Sequence, residues 1–392
     1  MDRNGMTVYV LALGVFFTAT SELIIGGILP QVARDLNISV GLAGQLITFY
    51  SLAFAIGTPA LVLMTSRMDR KRVLLGSLGL YLAGSFIAFS SSGFAMAVVS
   101  RIVLGASSGL FLVTSFSVAP KLVAPEKLGG AIATIILGFS GALVLGVPIG
   151  VAITELRDWR SSFLLLFVLS LVLLYVIYKL VPKMEGQAPV PLKKQVSVLG
   201  STVVVSGLAL SFFRETGTSA FYSYLSPYLK EILHMDPARI GAVILVLGVI
   251  GALGSRAGGF IIDRWGAKRA IAASLMLQLA ALALLPPASS VPQLALVLLA
   301  LIILAMFIGG PALQTYFLQQ EPDSANMVMS LNMSVVHLGL AAGAGIGGTA
   351  LDSLDTVSYH PWVAGIGLLL ALAAGAAGLA AAKIRRSVQE VR

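Results

Sequence analysis

Between Ser161 and Val181 the chain reads SSFLLLFVLSLVLLYVIYKLV, and from Pro182 to Leu199 it reads PKMEGQAPVPLKKQVSVL. The first stretch carries one charged residue, Lys179, and is long enough to cross a hydrocarbon core, which takes about 20 mostly apolar residues. The second is rich in proline and lysine and lies at the middle of a 392-residue chain. It reads as a linker between two halves. Working outward in both directions, apolar runs and their breaks predict spans at 6–29, 40–63, 73–91, 94–118, 128–152, 161–181, 201–226, 237–257, 269–287, 292–317, 326–349 and 362–382. The expected domains are 1–181, a cytoplasmic linker at 182–199, and 200–392.

Composition agrees with lipid as the solvent. The chain is 57% hydrophobic and 11% charged, with a mean hydropathy of +0.95. Soluble domains are roughly 45–50% apolar and about 25% charged. The 41 glycines suit helices whose backbones approach closely within a membrane. There is no cysteine, so disulfides and thiolate metal sites are excluded. His234, His337 and His360 are far apart in sequence and form no ligand motif. The net charge of +9 does not point to nucleic acid, because the cations lie between the apolar runs. Arg3 precedes the first run without a small-residue cleavage site, so that run is read as an uncleaved helix.

The cations also predict orientation. One side collects Arg3, Arg67, Arg70, Lys71, Arg72, Lys121, Lys127, Lys179, Lys183, Lys193, Lys194, Arg256, Arg264, Lys268, Arg269, Lys383, Arg385, Arg386 and Arg392. The other has Arg34, Arg157, Arg160, Lys230 and Arg239. Both termini are therefore expected in the cytoplasm, which requires an even number of spans.

The halves repeat. At an offset of 197 residues Pro30 falls on Pro227, Leu36 on Leu233, Gly44 on Gly241, Gly57 on Gly254, Arg67 on Arg264 and Arg72 on Arg269. Ser39 falls on Asp236, and both residue types cap helix N-termini. Six spans per half make the halves parallel repeats. Transporters built this way hold their substrate between the halves and rock one against the other.

After the eighth span comes Gly259-Phe260-Ile261-Ile262-Asp263-Arg264-Trp265-Gly266-Ala267-Lys268-Arg269. This resembles the loop signature of the major facilitator superfamily, G-x-x-x-D-R-x-G-x-[RK]-[RK]. The resemblance implies a loop latched to helix ends in one state, with Asp263 accepting from Arg264 or a neighbouring helix. The first-half loop keeps Arg67, Arg70, Lys71 and Arg72, but has Ser66 for the acid and Asp69 for the glycine, which puts its latch in doubt. The fourth span contains Arg101 and Gly105, similar to the family's R-x-x-x-G, with Leu104 where glutamine is common. The fifth contains Gly138, Gly141, Gly146, Pro148 and Gly150, similar to a glycine-proline motif of antiporters; the alternative is ordinary packing. Trp159-Arg160 also fits the family.

The resemblance covers the whole chain. It implies an all-α membrane protein of twelve helices, arranged as two six-helix repeats around a central cavity, and a transporter rather than an enzyme. Within the superfamily the chain looks most like the drug/proton antiporter branch, and there like bacterial purine base and nucleoside efflux pumps. The stretches that carry this are Glu22 to Gln31, Ala43 to Ile47, Val118 to Glu126, Leu145 to Pro148 and Ile346 to Thr349. Sugar and drug exporters share much of the pattern. The family is expected to be monomeric, in the inner membrane, with protons as coupling ion and no cofactor.

Charges inside spans cost at least about 2.5–3.5 kcal/mol each on insertion scales and are functional candidates. Here they are Glu22, Arg101, Arg214 and Glu215. Glu22 and Arg101 each lie about seven residues from the outer end of a span, roughly 10 Å deep. In the family fold their spans line the cavity, so the two are expected to meet, with Glu22 as proton carrier. A static ion pair is the alternative. Arg214 and Glu215 are neighbours on one helix, about 100° apart, so they are expected to face different partners, with Glu215 as a second proton carrier. Substrate candidates on cavity-lining spans are Ser115, Phe116, Tyr222 and Gln314, with Gln45, Asn332 and His337 on neighbouring spans. A flat heteroaromatic solute would suit aromatic stacking there. There is no H-E-x-x-H and no G-x-x-x-x-G-K-[ST] to suggest an intramembrane protease or ATP hydrolysis.

The absence of cysteine makes the orientation directly testable. Lys230→Cys is expected to react with a membrane-impermeant maleimide in intact cells, and Lys183→Cys only after permeabilisation. The reverse pattern would invert the topology.

Overall fold

The computed structural model describes residues 3–124, 128–186, 198–320 and 325–390. The described residues are all-helical, in twelve membrane-length segments. In the first half these are α1 (Arg3–Leu36), α2 (Val40–Leu52, continued by Thr58–Thr65), α3 (Arg70–Phe89), α4 (Phe94–Leu122), α5 (Leu128–Gly141, continued by Val147–Leu156) and α6 (Trp159–Leu180). In the second they are α7 (Thr202–Tyr222, followed by Leu225–Glu231), α8 (Pro237–Trp265), α9 (Ala267–Ala288), α10 (Pro292–Gln320), α11 (Ala325–Leu354) and α12 (His360–Glu390). Among the described residues eleven helices are long and apolar enough to cross a membrane. The twelfth is α7, which carries both Arg214 and Glu215.

Several helices outrun their expected spans, α8 to Trp265 and α12 to Glu390 among them, and two further differences have a local cause. The first span is expected to end before Pro30, yet α1 runs through Pro30 to Leu36. Proline is tolerated inside membrane helices where neighbouring helices and side chains re-satisfy the freed carbonyls. The seventh span breaks at Ser223-Tyr224 and resumes at Leu225.

The chain divides into two compact units. One comprises Met1–Pro189, Leu225–Pro227 and Met235–Val246, the other Val190–Tyr224, Tyr228–His234 and Leu247–Arg392. Of the linker anticipated at 182–199, residues 187–197, with Pro189, Pro191, Lys193 and Lys194, lie outside the described residues, as do Lys127 and Arg392.

The 197-residue repeat extends to backbone detail. Ser39 Oγ accepts from the Leu42 amide (3.0 Å), and Asp236 Oδ1 accepts from the Arg239 amide (3.0 Å). Asn37 and His234, again 197 apart, both adopt positive φ, at 52° and 51°. Each follows a helix whose last carbonyls need a left-handed turn to close.

Glycine sets the closest helix contacts. A Cβ on Gly138, Gly146 or Gly150 of α5 would strike Ala12, Thr20 or Ile24 of α1, which lie on one i, i+4 ridge that also includes Phe16. In the second unit Gly339, Gly343 and Gly347 of α11 lie against Phe212, Thr216 and Ala220 of α7. Gly146 and Gly150 shift by 197 onto Gly343 and Gly347, so the same ridge serves both halves.

Proline distinguishes the halves. In α2 a π-helical turn, Ala53–Gly57, precedes Thr58-Pro59; in α5 one at Ala142–Gly146 precedes Val147-Pro148. The missing proline N–H interrupts the i to i−4 ladder, and the wider turn accommodates the break. The corresponding second-half residues, Arg256 and Gly345, are not proline. The helices α8 and α11 run through them without a π turn.

Gly138→Ala places a methyl against the main chain of Ala12 and Phe16, where nothing flexible can yield. It is expected to lower stability by about 1–3 kcal/mol, read as a lower melting temperature in detergent. Gly79→Ala, whose Cβ meets nothing within 4 Å, should not lower it.

Candidate functional site

The charged centre of the first unit is built on α4. Arg101 is 2% exposed. Its Nη1 donates to the Ser21 carbonyl (2.6 Å), its Nη2 to the Glu22 carbonyl (3.3 Å) and its Nε to the Leu46 carbonyl (3.3 Å). The Tyr50 ring lies beneath the guanidinium, with its centroid 4.4 Å from Cζ. One turn along α1, the Tyr81 hydroxyl of α3 donates to the Phe17 carbonyl (2.8 Å). Three helices thus fasten to one flank of α1. The cation is held by carbonyl dipoles in a place where an isolated charge would be unstable.

This geometry gives a physical meaning to R-x-x-x-G. A Cβ on Gly105 would come within 3.0 Å of the Tyr50 carbonyl carbon and 3.2 Å of the Phe54 amide. Glycine there lets α4 lie directly on the α2 backbone, which brings Tyr50 under Arg101 one turn away. The expected meeting of Glu22 and Arg101 occurs through the Glu22 main-chain oxygen. The Glu22 residue itself is half-buried on α1.

In the second unit the arrangement is reversed. Arg214, on the first helix of that half, donates from Nη2 to the Met306 carbonyl of α10 (2.5 Å). Its Nη1 pairs with Glu215 Oε1. The expectation that Arg214 and Glu215 face different partners is corrected here. Their Cα–Cβ directions diverge, but two long side chains can fold back to meet. Gly309 leaves the room for this, since a Cβ there would lie 3.2 Å from Arg214 Nε.

The substrate candidates are spread over several helices. Ser115 is buried and donates to Phe111 of its own helix (2.8 Å). It lies fourteen residues along α4 from Arg101, roughly 21 Å at the helical rise. Phe116 and Gln45 are half-buried, and Gln314 is exposed on α10. His337 is buried, with Nδ1 2.9 Å from the Met333 carbonyl. Asn332 is buried and its Oδ1 has no partner among the described residues. Tyr222 lines a cavity of about 10 Å³ inside the second unit, with Met306, Thr218 and Gln278. There Gln278 Nε2 donates to Thr218 Oγ1 (3.3 Å). That volume is at the lower limit for one water molecule.

The loop motifs resolve differently in the two halves. Gly266 adopts φ +79° and starts α9, a conformation that only glycine takes without strain. Asp263 and Arg264 are exposed, and Asp263 forms no ion pair among the described residues, so the anticipated acceptance from Arg264 is not made. A Cβ on Gly259 would meet nothing. In the first half Asp69 replaces the glycine and caps α3 with its side chain. Its Oδ1 accepts from the Arg72 amide (3.0 Å) and its Oδ2 from the Met184 amide (2.8 Å). The Arg70 amide donates to the Met184 carbonyl (2.8 Å), and Lys121 Nζ to the Glu185 carbonyl (2.7 Å). Arg70 is buried and Arg67 exposed. The first-half loop is therefore fastened to residues 184–185 rather than latched by an acidic residue at position 66. At the other end of α1, Asp35 Oδ2 accepts from Trp159 Nε1 (3.1 Å) and Arg160 Nη1 (2.5 Å), and Arg160 Nε donates to the Ser91 carbonyl (2.6 Å).

Sequence reasoning missed Tyr50, Tyr81, the Asp69–Met184 fastening and the second Gly-x-Pro at Gly57. The last had a visible signal in its likeness to Gly146-Val147-Pro148. The others depend on which helices adjoin.

These features define a multi-pass membrane transporter. The chain matches the Major Facilitator Superfamily over residues 11–344 and 207–390, and it belongs to that family. It is 35% identical over 371 residues to an uncharacterised MFS-type transporter, YbcL of Bacillus subtilis, covering 95% of both chains. It is 28% identical to the inner membrane transport protein YdhP of Escherichia coli K12, covering 92% of this chain and 93% of that one. Among solved structures, a D-xylose–proton symporter superposes with a TM-score of 0.78 over 95% of this chain and 97% of that chain, at 18% identity. That likeness shows the fold.

Arg101→Lys exchanges three separated N–H directions for one ammonium group. Hydrogen bonds to a charged group are worth roughly 1.5–3 kcal/mol each. The variant is expected to melt several degrees lower than the wild type. An unchanged melt would show that the carbonyl contacts are dispensable.

Proposed function

We propose that the protein is a proton-coupled exporter of a small organic solute, working by alternating access, with purine bases or nucleosides as the solute class. The observation that carries this is the Arg101 guanidinium held against α1 at Glu22, an ionisable side chain within an apolar span. Burial favours a neutral carboxyl and a nearby guanidinium favours an ionised one. Movement of α4 against α1 would then change the proton affinity of Glu22. A proton taken up from outside is released inside, and the solute moves the other way. Glu215, paired with Arg214, is the second candidate carrier. Protons are the only coupling ion proposed, and no cofactor. The protein acts as a monomer in the inner membrane with both termini in the cytoplasm, and binds no nucleic acid. The purine assignment rests on the resemblance of the stretches from Glu22 to Gln31 and from Val118 to Glu126; a broader drug or sugar exporter is the alternative substrate reading.

One further reading has an observation of its own. Because main-chain oxygens accept from Arg101, the arginine can be a purely structural clasp, and the protein then a facilitator without proton coupling.

Purified protein in liposomes, with an imposed pH gradient and radiolabelled adenine, guanine, hypoxanthine and their ribonucleosides, separates these. Gradient-driven movement of a purine is expected, abolished in Glu22→Gln while downhill exchange survives. Full concentrative transport by Glu22→Gln would remove Glu22 from the mechanism. Transport indifferent to the gradient would favour the facilitator. Movement of a cationic dye or a sugar, but no purine, would leave a broader antiporter.

A further inference from the structure

The contacts that hold Arg101 are of two kinds. Its three carbonyl partners lie toward the edge of the guanidinium, where its N–H bonds point. They fix the direction of the group but leave its approach to the α2 side chains unset. The Tyr50 ring supplies that restraint, since it faces the guanidinium at 4.4 Å. Tyr50 is itself fully buried. Its backbone is locked against α4 at Gly105, so the ring cannot retreat without separating two helices. The hydroxyl points away from the arginine, toward the Thr18 carbonyl at 3.5 Å and the Ser108 side chain. Beside the carbonyl bonds, the aromatic face is the second contact that holds the arginine, an arrangement that is stronger when desolvated.

We propose that Tyr50 is a positioning residue of the coupling centre, its ring setting the separation between the Arg101 charge and the Glu22 carboxylate. This rests on the reading of Glu22 as the proton carrier. The titratable groups that meet here are Glu22 on α1, Tyr50 on α2, Tyr81 on α3 and Arg101 on α4. The start of α8, whose Ile244 lies beside Gly27, brings Arg239 at its outer end, and the other two helices against α1 are uncharged where they adjoin it. There is no charged residue from Leu128 to Thr154 in α5, nor from Ser161 to Tyr178 in α6. The distance from Arg101 to Glu22 is therefore the main electrostatic variable acting on that carboxyl. A change of a few Å between unit charges at a partly buried site shifts a titration on the order of half a pH unit or more.

Infrared difference spectroscopy of the full-length protein in liposomes reads this without any solute. The C=O band of a protonated carboxyl that disappears in Glu22→Gln reports Glu22, and its pH midpoint is followed in the variants. Tyr50→Phe keeps the ring and is expected to match the wild type. Tyr50→Leu removes it and is expected to shift the midpoint by about half a unit or more. Should Tyr50→Leu fail to assemble, Tyr50→Met fills similar space without an aromatic face. A wild-type midpoint in the ring-less variant overturns the positioning role while leaving Glu22 as carrier. A shift as large in Tyr50→Phe as in Tyr50→Leu also overturns it, because the hydroxyl would then be the operative group. If no band depends on Glu22, the coupling reading fails and the positioning role with it.

Discussion

A guanidinium that cannot reach water must find its acceptors inside the protein, and the first unit is arranged around that demand. Arg101 finds them in the carbonyls of Ser21, Glu22 and Leu46. Carbonyl oxygens in a helix have a second lone pair free, so α1 can accept these bonds without giving up its own ladder. The grip works only if α2, α3 and α4 reach the same flank of α1. Glycine at position 105 and the hydroxyl of Tyr81 make that possible. A charge that would be costly alone becomes the clasp of a bundle.

The remaining contacts follow from how membrane helices attract one another. Lipid offers no hydrophobic gain for pairing apolar helices, so close backbone approach and interhelical hydrogen bonds take over. The glycine ridges of α5 and α11 serve the first case. Ser100 donating to Gly84 (2.9 Å) and Tyr224 donating to Ala344 (2.8 Å) serve the second. The two Gly-x-Pro π turns, in α2 and α5, give the first unit a pair of bulged helices with no π-turn counterpart among the described residues of the second. The halves therefore share a scaffold while differing in where their backbones can yield. Their arginine clasps differ too, donating from α4 to α1 in one unit and from α7 to α10 in the other.

The sequence by itself determined the class, the span count and the repeat. Lipid imposes length and apolarity on every crossing, so those properties are local and can be read residue by residue. The caps at Ser39 and Asp236 were legible for the same reason, because a cap acts within one turn of its own helix. The charges at Glu22, Arg101, Arg214 and Glu215 stood out against an apolar background. Tertiary structure alone decided what those charges touch. The hydrogen bonds of Arg101 to Ser21, Glu22 and Leu46 run to main-chain oxygens, which carry no sequence signature. Arg214 and Glu215 meet because flexible side chains override the angle between helix neighbours. Tyr50 gains its place only because Gly105, on another helix, leaves room for its backbone. Asp69 looked like a damaged motif until folding placed the Met184 amide beside it. Each of these depends on which helix lies alongside, a property that no single stretch of sequence contains.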